Sequence, residues 1–216
     1  MMTLAPPSAM SARLSSSALM RNRGVGVVDL LERAEAGALR AEVVALLPHA
    51  DTADRADGRD DVRGDPERRM SSVGAGPVLD RLYGDGRLLA TLSGLTGIDW
   101  RPLGSHAAYS IYTGGHHLGP HRDIDGCDLT VIVAVYDDTP AGHPLWVWPS
   151  RAGAPISAIR AEPLRGRRAA VAGLGQAIVV LGSLVPHELP RLPAGCTRIV
   201  APLCFTAVRP GRPSTN

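Results

Sequence analysis

From about Trp100 onward the chain changes rhythm. Short runs rich in β-branched and aromatic residues occupy 106–112, 129–136, 144–148, 156–162, 177–181 and 197–205, each bounded by Gly, Pro or Asp. Runs of this length and chemistry, punctuated by turn formers, predict strands, because a pleated, half-buried surface suits branched and aromatic side chains while Gly, Pro and Asp break it. So many short strands close together in sequence leave a β-sandwich or a barrel as the fold. No internal repeat is visible.

Upstream the pattern differs. Between residues 27 and 47 the apolar positions Val28, Leu30, Leu31, Ala34, Leu39, Val43, Val44 and Leu47 recur near helical spacing with charges between them, and Pro48 follows, so an amphipathic helix is expected. Residues 51–69 alternate acids with arginines and hold almost nothing apolar. That stretch reads as a mobile loop, a solvated excursion, with a lid over a site as the sharper alternative. Two short helices are expected near 77–83 and 86–95. The Ala-, Ser- and Pro-rich start reads as a loose tail. The expected organisation is therefore a tail at 1–20, a helical buttress at 21–100, a β core at 101–207 and a C-terminal tail at 208–216.

Within the β region, His121 and Asp123 stand two positions apart. On a strand such residues share a face, roughly 6.6 Å apart along the backbone, and can converge on one ion. A second histidine from elsewhere would complete a two-histidine, one-carboxylate set of the kind that binds non-haem Fe(II) with positions left open. His187 is the candidate, placed after the apolar run 178–185 and a proline. Arg198 opens another apolar run and could clamp a carboxylate.

With these four groups and the segment Tyr112-Thr113-Gly114-Gly115-His116-His117-Leu118-Gly119-Pro120-His121-Arg122-Asp123 in hand, residues 100–207 resemble the Fe(II)/2-oxoglutarate-dependent oxygenases, in their prolyl-hydroxylase-like branch. The resemblance implies a mainly β fold with N-terminal helices, its core a double-stranded β-helix, or cupin-like jelly roll. It implies Fe(II) held by His121, Asp123 and His187, with O2 and 2-oxoglutarate as co-substrates. Arg198 would pair with the distal carboxylate of 2-oxoglutarate and Tyr112 would contact the same molecule, a packed barrel tyrosine being the alternative. Many relatives carry Ser or Thr two residues after the arginine; Val200 stands there, so that hydroxyl must come from elsewhere. Halogenating relatives lack the acid, so Asp123 implies hydroxylation or another two-electron oxidation.

Other polar residues compete for lesser roles. His116 and His117 lie in a Gly-rich turn, where solvated loop histidines are expected, although either could face substrate. His49, His106 and His143 lack ligand spacing. Strand alternation turns Arg122 away from its flanking ligands, towards a surface or substrate-rim ion pair. Trp146 and Trp148 share a strand face and could wall a substrate pocket or simply pack in the core. Arg160, Arg165, Arg167 and Arg168 read as a solvated basic face, with an anionic or carrier-bound substrate as the alternative.

Composition narrows the setting. The formal charge is +2, from 23 basic and 21 acidic residues, which offers no general attraction for nucleic acid or an anionic membrane. No span approaches the roughly 18 apolar residues of a membrane helix, and the N-terminus lacks the basic start and apolar core of a secretory signal. Cys127, Cys196 and Cys204 are odd in number and show no C-x-x-C spacing, which argues against a disulfide framework or a cysteine zinc site. A cytoplasmic enzyme acting on a small molecule, such as an amino acid or natural-product intermediate, is the expectation. A protein or peptide hydroxylase and a catalytically silent jelly-roll module are the alternatives.

Overall fold

The computed structural model describes residues 17–58, 60–104 and 107–208. His106, residues 1–16 of the expected tail and residues 209–216 lie outside the described residues. The elements are α1 (Ala18–Arg21), β1 (Val25–Asp29), α2 (Arg33–Leu46), β2 (Asp51–Arg55), β3 (Arg68–Gly74), α3 (Pro77–Tyr83) and α4 (Gly86–Thr96), followed by β4 (Trp100–Pro102), β5 (Ala108–Thr113), β6 (His117–His121), β7 (Leu129–Asp137), β8 (Leu145–Val147), α5 (Ile156–Ala161), β9 (Arg168–Ala170), β10 (Gln176–Val180), β11 (His187–Leu189) and β12 (Thr197–Ala207).

The strands follow the order β1-β10-β7-β12-β5-β3-β6-β11-β8-β9, with β2 beside β3 and β4 beside β12. All pairings are antiparallel. The result is a mainly β, nearly closed barrel of jelly-roll type with helices outside. Its core strands β7, β10 and β12 are close to continuous apolar runs, as burial on both faces requires. Strand β3 joins the two halves: Ser71–Gly74 pair with β5, while Arg68 and Arg69 pair with β6.

The helices are tied to the barrel by specific polar contacts. Asp85 caps α4 by accepting from Arg87 N at 2.6 Å, and Gly97, in the left-handed region at φ 74°, ends it. Glu42 on α2 accepts from Val78 N at 2.6 Å and Leu79 N at 3.1 Å, satisfying the start of α3, and from the hydroxyl of Tyr109 on β5 at 2.7 Å. One carboxylate thus binds two helices to a core strand. Tyr83 packs edge-on against Phe205, ring centroids 5.3 Å apart, and donates to the carbonyls of Leu103 and Cys204.

Five sequence expectations are corrected. The helix expected from residue 27 begins at Arg33, because Val25–Asp29 is instead the edge strand of the sheet, paired with β10. Within the expected tail, Leu19 is buried and Ser17 caps α1 by accepting from Met20 N. Residues 156–162, expected as a strand, form α5. The cysteine reading also falls: Cys127 and Cys204 form a disulfide, Cys196 being free. Cys204 lies within the β7–β12 pairing, opposite Thr130, and Cys127 lies two residues before β7, so tertiary structure rather than a sequence motif joins them.

The fifth correction concerns 51–69, which is exposed over much of its length but is not a free loop. Its ends are strands β2 and β3, and its middle lies along β6: Arg122 N donates to Arg63 O at 2.6 Å and Gly119 N to Glu67 O at 2.8 Å. Asp61 accepts from Ile156 N and Ser157 N, and Arg160 pairs with Asp57. Gly64, at φ 81°, permits the close approach, since a Cβ there would stand 2.9 Å from Pro120 O. The charges that made the segment look unpackable are its means of attachment.

Candidate metal centre

His121 closes β6 and His187 opens β11, and the two are register partners across that antiparallel pair. Cross-strand partners bring their Cβ atoms to about 5 Å, and here the ring centroids are 4.3 Å apart. Each histidine is oriented the same way. His121 Nδ1 lies 2.9 Å from Gly119 O, and His187 Nδ1 lies 2.9 Å from Val185 O. With the Nδ1 proton donated to a carbonyl, each ring keeps its Nε2 lone pair for a third party. In both cases a proline separates the histidine from the accepting residue.

Asp123 lies just past the end of β6, not on it. Its backbone N–H donates to Gly182 O at 2.9 Å. Oδ1 stands 3.7 Å from His121 Nε2 and 3.6 Å from His187 Nε2. Oδ2 accepts a hydrogen bond from the Thr130 hydroxyl. The ligand atoms of all three side chains lie within 4.8 Å of one another, a spacing that could hold a metal ion. Gly182 stands against this carboxylate, and any Cβ there would overlap it.

The electrostatics suit a ligand set. Burial, reinforced by the neighbouring His187 charge, pushes His121 down to about 4, so it is neutral near neutral pH. Burial also works against a charged His187 and a charged Asp123, but their mutual attraction and hydrogen bond prevail, raising His187 and holding Asp123 well below the usual carboxylate range. His187 thus holds a proton more tightly than a free imidazole does, beside an ionised Asp123.

Beside the triad opens a cavity of about 490 Å³. His121, Asp123 and Arg122 line it on one side, with Gly64, Asp65 and Pro66 of the hairpin segment and Arg68 and Met70 of β3 among the other walls. Arg122 reaches backbone carbonyls, those of Val62 and Ser183, instead of the ion pair expected.

Deeper in the barrel, Arg198 and Tyr112 are register partners on β12 and β5. Arg198 is 1% exposed. One nitrogen, Nη1, serves Asp137 at 3.4 Å and the carbonyl of His143, whereas Nε is buried without a partner. Tyr112, pushed up to about 12 by burial, places its hydroxyl 3.6 Å from Met70 Sδ. Val200, two residues after Arg198, pairs with Ser110, two before Tyr112. By strand alternation Ser110 shares their face.

The remaining candidates sit elsewhere. His117 faces Glu67, its Nε2 2.9 Å from the carboxylate. Trp146 pairs with Glu188, so alternation puts it on the opposite sheet face from His187, where Arg167 stacks over its ring at 4.1 Å. Trp148 is fully buried against Ile156 and Ile159 and donates to Pro163 O at 3.0 Å. Neither tryptophan lines the cavity. His143 Nε2 donates to Pro190 O, and Arg165 pairs with Glu162, away from the triad. Thr130, Gly182, Ser110 and Asp137 escaped sequence reasoning, because their roles depend on strands that meet only in three dimensions.

No protein-family model matches the sequence, nor does any curated protein. Solved structures do match. A prolyl-4-hydroxylase from Pseudomonas putida is 17% identical, with 93% of this chain and 100% of that one covered and a TM-score of 0.55. SnoN, a non-haem α-ketoglutarate-dependent epimerase from nogalamycin biosynthesis, is 17% identical, with 93% and 82% covered and a TM-score of 0.65. HygX from Streptomyces hygroscopicus, solved with nickel, 2-oxoglutarate and hygromycin B, is 16% identical, with 93% and 87% covered and a TM-score of 0.61. At these identities the likeness establishes the fold.

Proposed function

We propose that this chain, sharing its fold with those oxygenases, is an Fe(II)/2-oxoglutarate-dependent oxygenase that hydroxylates or otherwise oxidises a small molecule, with an amino acid or natural-product intermediate as the candidate class. One observation carries the reading. Two Nε2 atoms and one carboxylate oxygen face a common point, every other polar atom of the three side chains is already satisfied or turned away, and the point borders a cavity. A two-histidine, one-carboxylate set of this kind suits Fe(II) and leaves positions open.

The second requirement, a seat for the co-substrate, is met by Arg198. Its buried Nε lacks a partner, and an unpaired buried donor is costly unless a ligand satisfies it. A carboxylate of 2-oxoglutarate would take that edge while Asp137 and His143 O keep Nη1 in place, with Tyr112 alongside and Ser110 in the role that Val200 cannot fill. When bound, iron, 2-oxoglutarate and O2 supply a two-electron oxidation in which one oxygen atom enters the substrate and the other enters succinate, with loss of CO2. The chain's part is to present neutral imidazole nitrogens at Nε2, to hold Asp123 ionised and single-ended through Thr130, and to wall the site with the hairpin segment so that water is kept from it.

The solved neighbours include enzymes of small molecules and a prolyl hydroxylase in complex with a peptide fragment. The cavity beside the triad, walled by residues 64–66, favours a small substrate over a polypeptide. The test is succinate formation by the purified protein. It should require both Fe(II) and 2-oxoglutarate and should vanish in His121→Ala and Asp123→Ala variants that retain native circular dichroism. Succinate formed equally well by Asp123→Ala, or none from the wild type with added iron, defeats the proposal.

A further inference from the structure

Among the described residues, the cavity beside the triad carries a cation, Arg68, that no carboxylate neutralises. Arg68, Met70 and Ser72 alternate along β3 and all line the cavity. Arg68 pairs in register with Leu118, which lies three residues, about 10 Å along a strand, from His121. Its charge is felt at both His121 and Tyr112. Of the neighbouring arginines, Arg55 pairs with Asp65, Arg63 with Asp125 and Arg69 with Asp54, while Arg122 is held in place by the carbonyls of Ser183 and Val62, its Nε buried without a partner.

Among the described residues, no carboxylate comes within ion-pair distance of Arg68. The two acids on the cavity wall are occupied, Asp65 by Arg55 and Asp123 by Thr130 and the histidines. Apolar side chains of Met70, Leu118 and Ile124 make up much of the remaining wall. A guanidinium on a half-enclosed wall has five donors in a planar fork that matches a carboxylate.

Resting on the oxygenase reading above, we propose that Arg68 anchors a carboxylate of the primary substrate, which is therefore a small organic acid with an apolar body that extends from Arg68 towards the metal triad. Arg198 and Arg68 divide the two anions between them: the buried guanidinium beside Tyr112 takes the co-substrate, and the cavity-wall guanidinium takes the molecule to be oxidised.

The probes are hexanoate, leucine, proline and phenylalanine, each beside its carboxamide. Binding is measured by calorimetry on the metal-free protein, and stimulation of succinate formation on the iron-loaded protein. At least one acid should bind roughly tenfold or more tightly than its amide and stimulate turnover. Arg68→Gln should weaken that acid tens-fold, to the level of the amide, because truncating one partner of such a charge pair costs on that scale. Arg68→Lys should retain part of the binding. Acids that bind no better than their amides overturn the proposal, as does Arg68→Gln binding the acid like the wild type. A raised requirement for 2-oxoglutarate in Arg68→Gln also overturns it, by assigning Arg68 to the co-substrate. Failure of the oxygenase reading looks different: acid binding persists, but the wild type forms no succinate.

Discussion

At the scale of single residues, the site depends on side chains that do not touch the metal position. Thr130 holds one oxygen of Asp123, and Gly182 leaves room for it. Thr130→Val should therefore lower metal affinity by about 10–100-fold, the usual effect of removing such an outer partner; Co(II) titration followed by absorbance measures it, and unchanged affinity would show that Asp123 needs no such support. Arg198→Ala should raise the 2-oxoglutarate requirement by tens-fold or more, with Arg198→Lys partly tolerated; steady-state kinetics decides. A pH effect follows from His187. Burial lowers its proton affinity, yet Asp123 raises the net value above that of a free histidine. Below the free-histidine range the protonated pair stabilises the metal-free protein fully, and that contribution is lost as pH rises through the raised value. Because a metal needs the neutral ring, metal binding should release a proton in that window and tighten as pH rises. Calorimetric titrations in buffers of different ionisation heat would reveal the proton; equal heats in all buffers would contradict it.

At the scale of elements, two ties hold secondary structure to the barrel. Glu42 joins α2, α3 and β5 through three hydrogen bonds. Glu42→Ala leaves those donors without their acceptor and should destabilise the protein by about 2–4 kcal/mol, since bonds to a charged group contribute more than neutral ones. Urea unfolding would show it as a lowered midpoint with an unchanged slope. The Cys127–Cys204 disulfide closes a separation of 77 residues, which in the chain-entropy view stabilises by about 2–4 kcal/mol. Adding reductant should lower the unfolding midpoint of the wild type and leave a Cys127→Ser/Cys204→Ser variant unmoved. Elements also mark where sequence patterns mislead. The 3.6-residue rhythm at 27–47 swallowed an edge strand, because Val25–Asp29 packs on one side only and is too short to show its own period. The charged stretch 51–69 looked unpackable because β3 finds partners in β5 and β6, and the residues before it bond to β6 and α5, all far away in sequence, while Arg55 and Arg69 pair with acids of the same stretch.

For the whole molecule, on the proposed oxygenase reading, Asp123 would fill the coordination position that a halide would need, which bears on the reaction's outcome. The expected product is hydroxylated, or otherwise oxidised by two electrons, with one succinate per turnover. Mass spectrometry under labelled O2 checks this, and a chlorinated product would sink it. The sequence by itself was enough for the β core, the helices at 77–83 and 86–95, and the candidate ligands His121, Asp123 and His187. These rest on local signals: strand composition, caps and turns, and residue types whose chemistry is rare enough to notice. Tertiary structure alone decided that Thr130 and Gly182 frame Asp123, that Ser110 stands opposite Val200, that Cys127 meets Cys204, that Trp146 and Trp148 face away from the cavity, and that Arg68 faces into it. Each of those facts depends on which strands become neighbours, and register between strands distant in sequence is set by burial over the whole barrel, which no local window of residues contains.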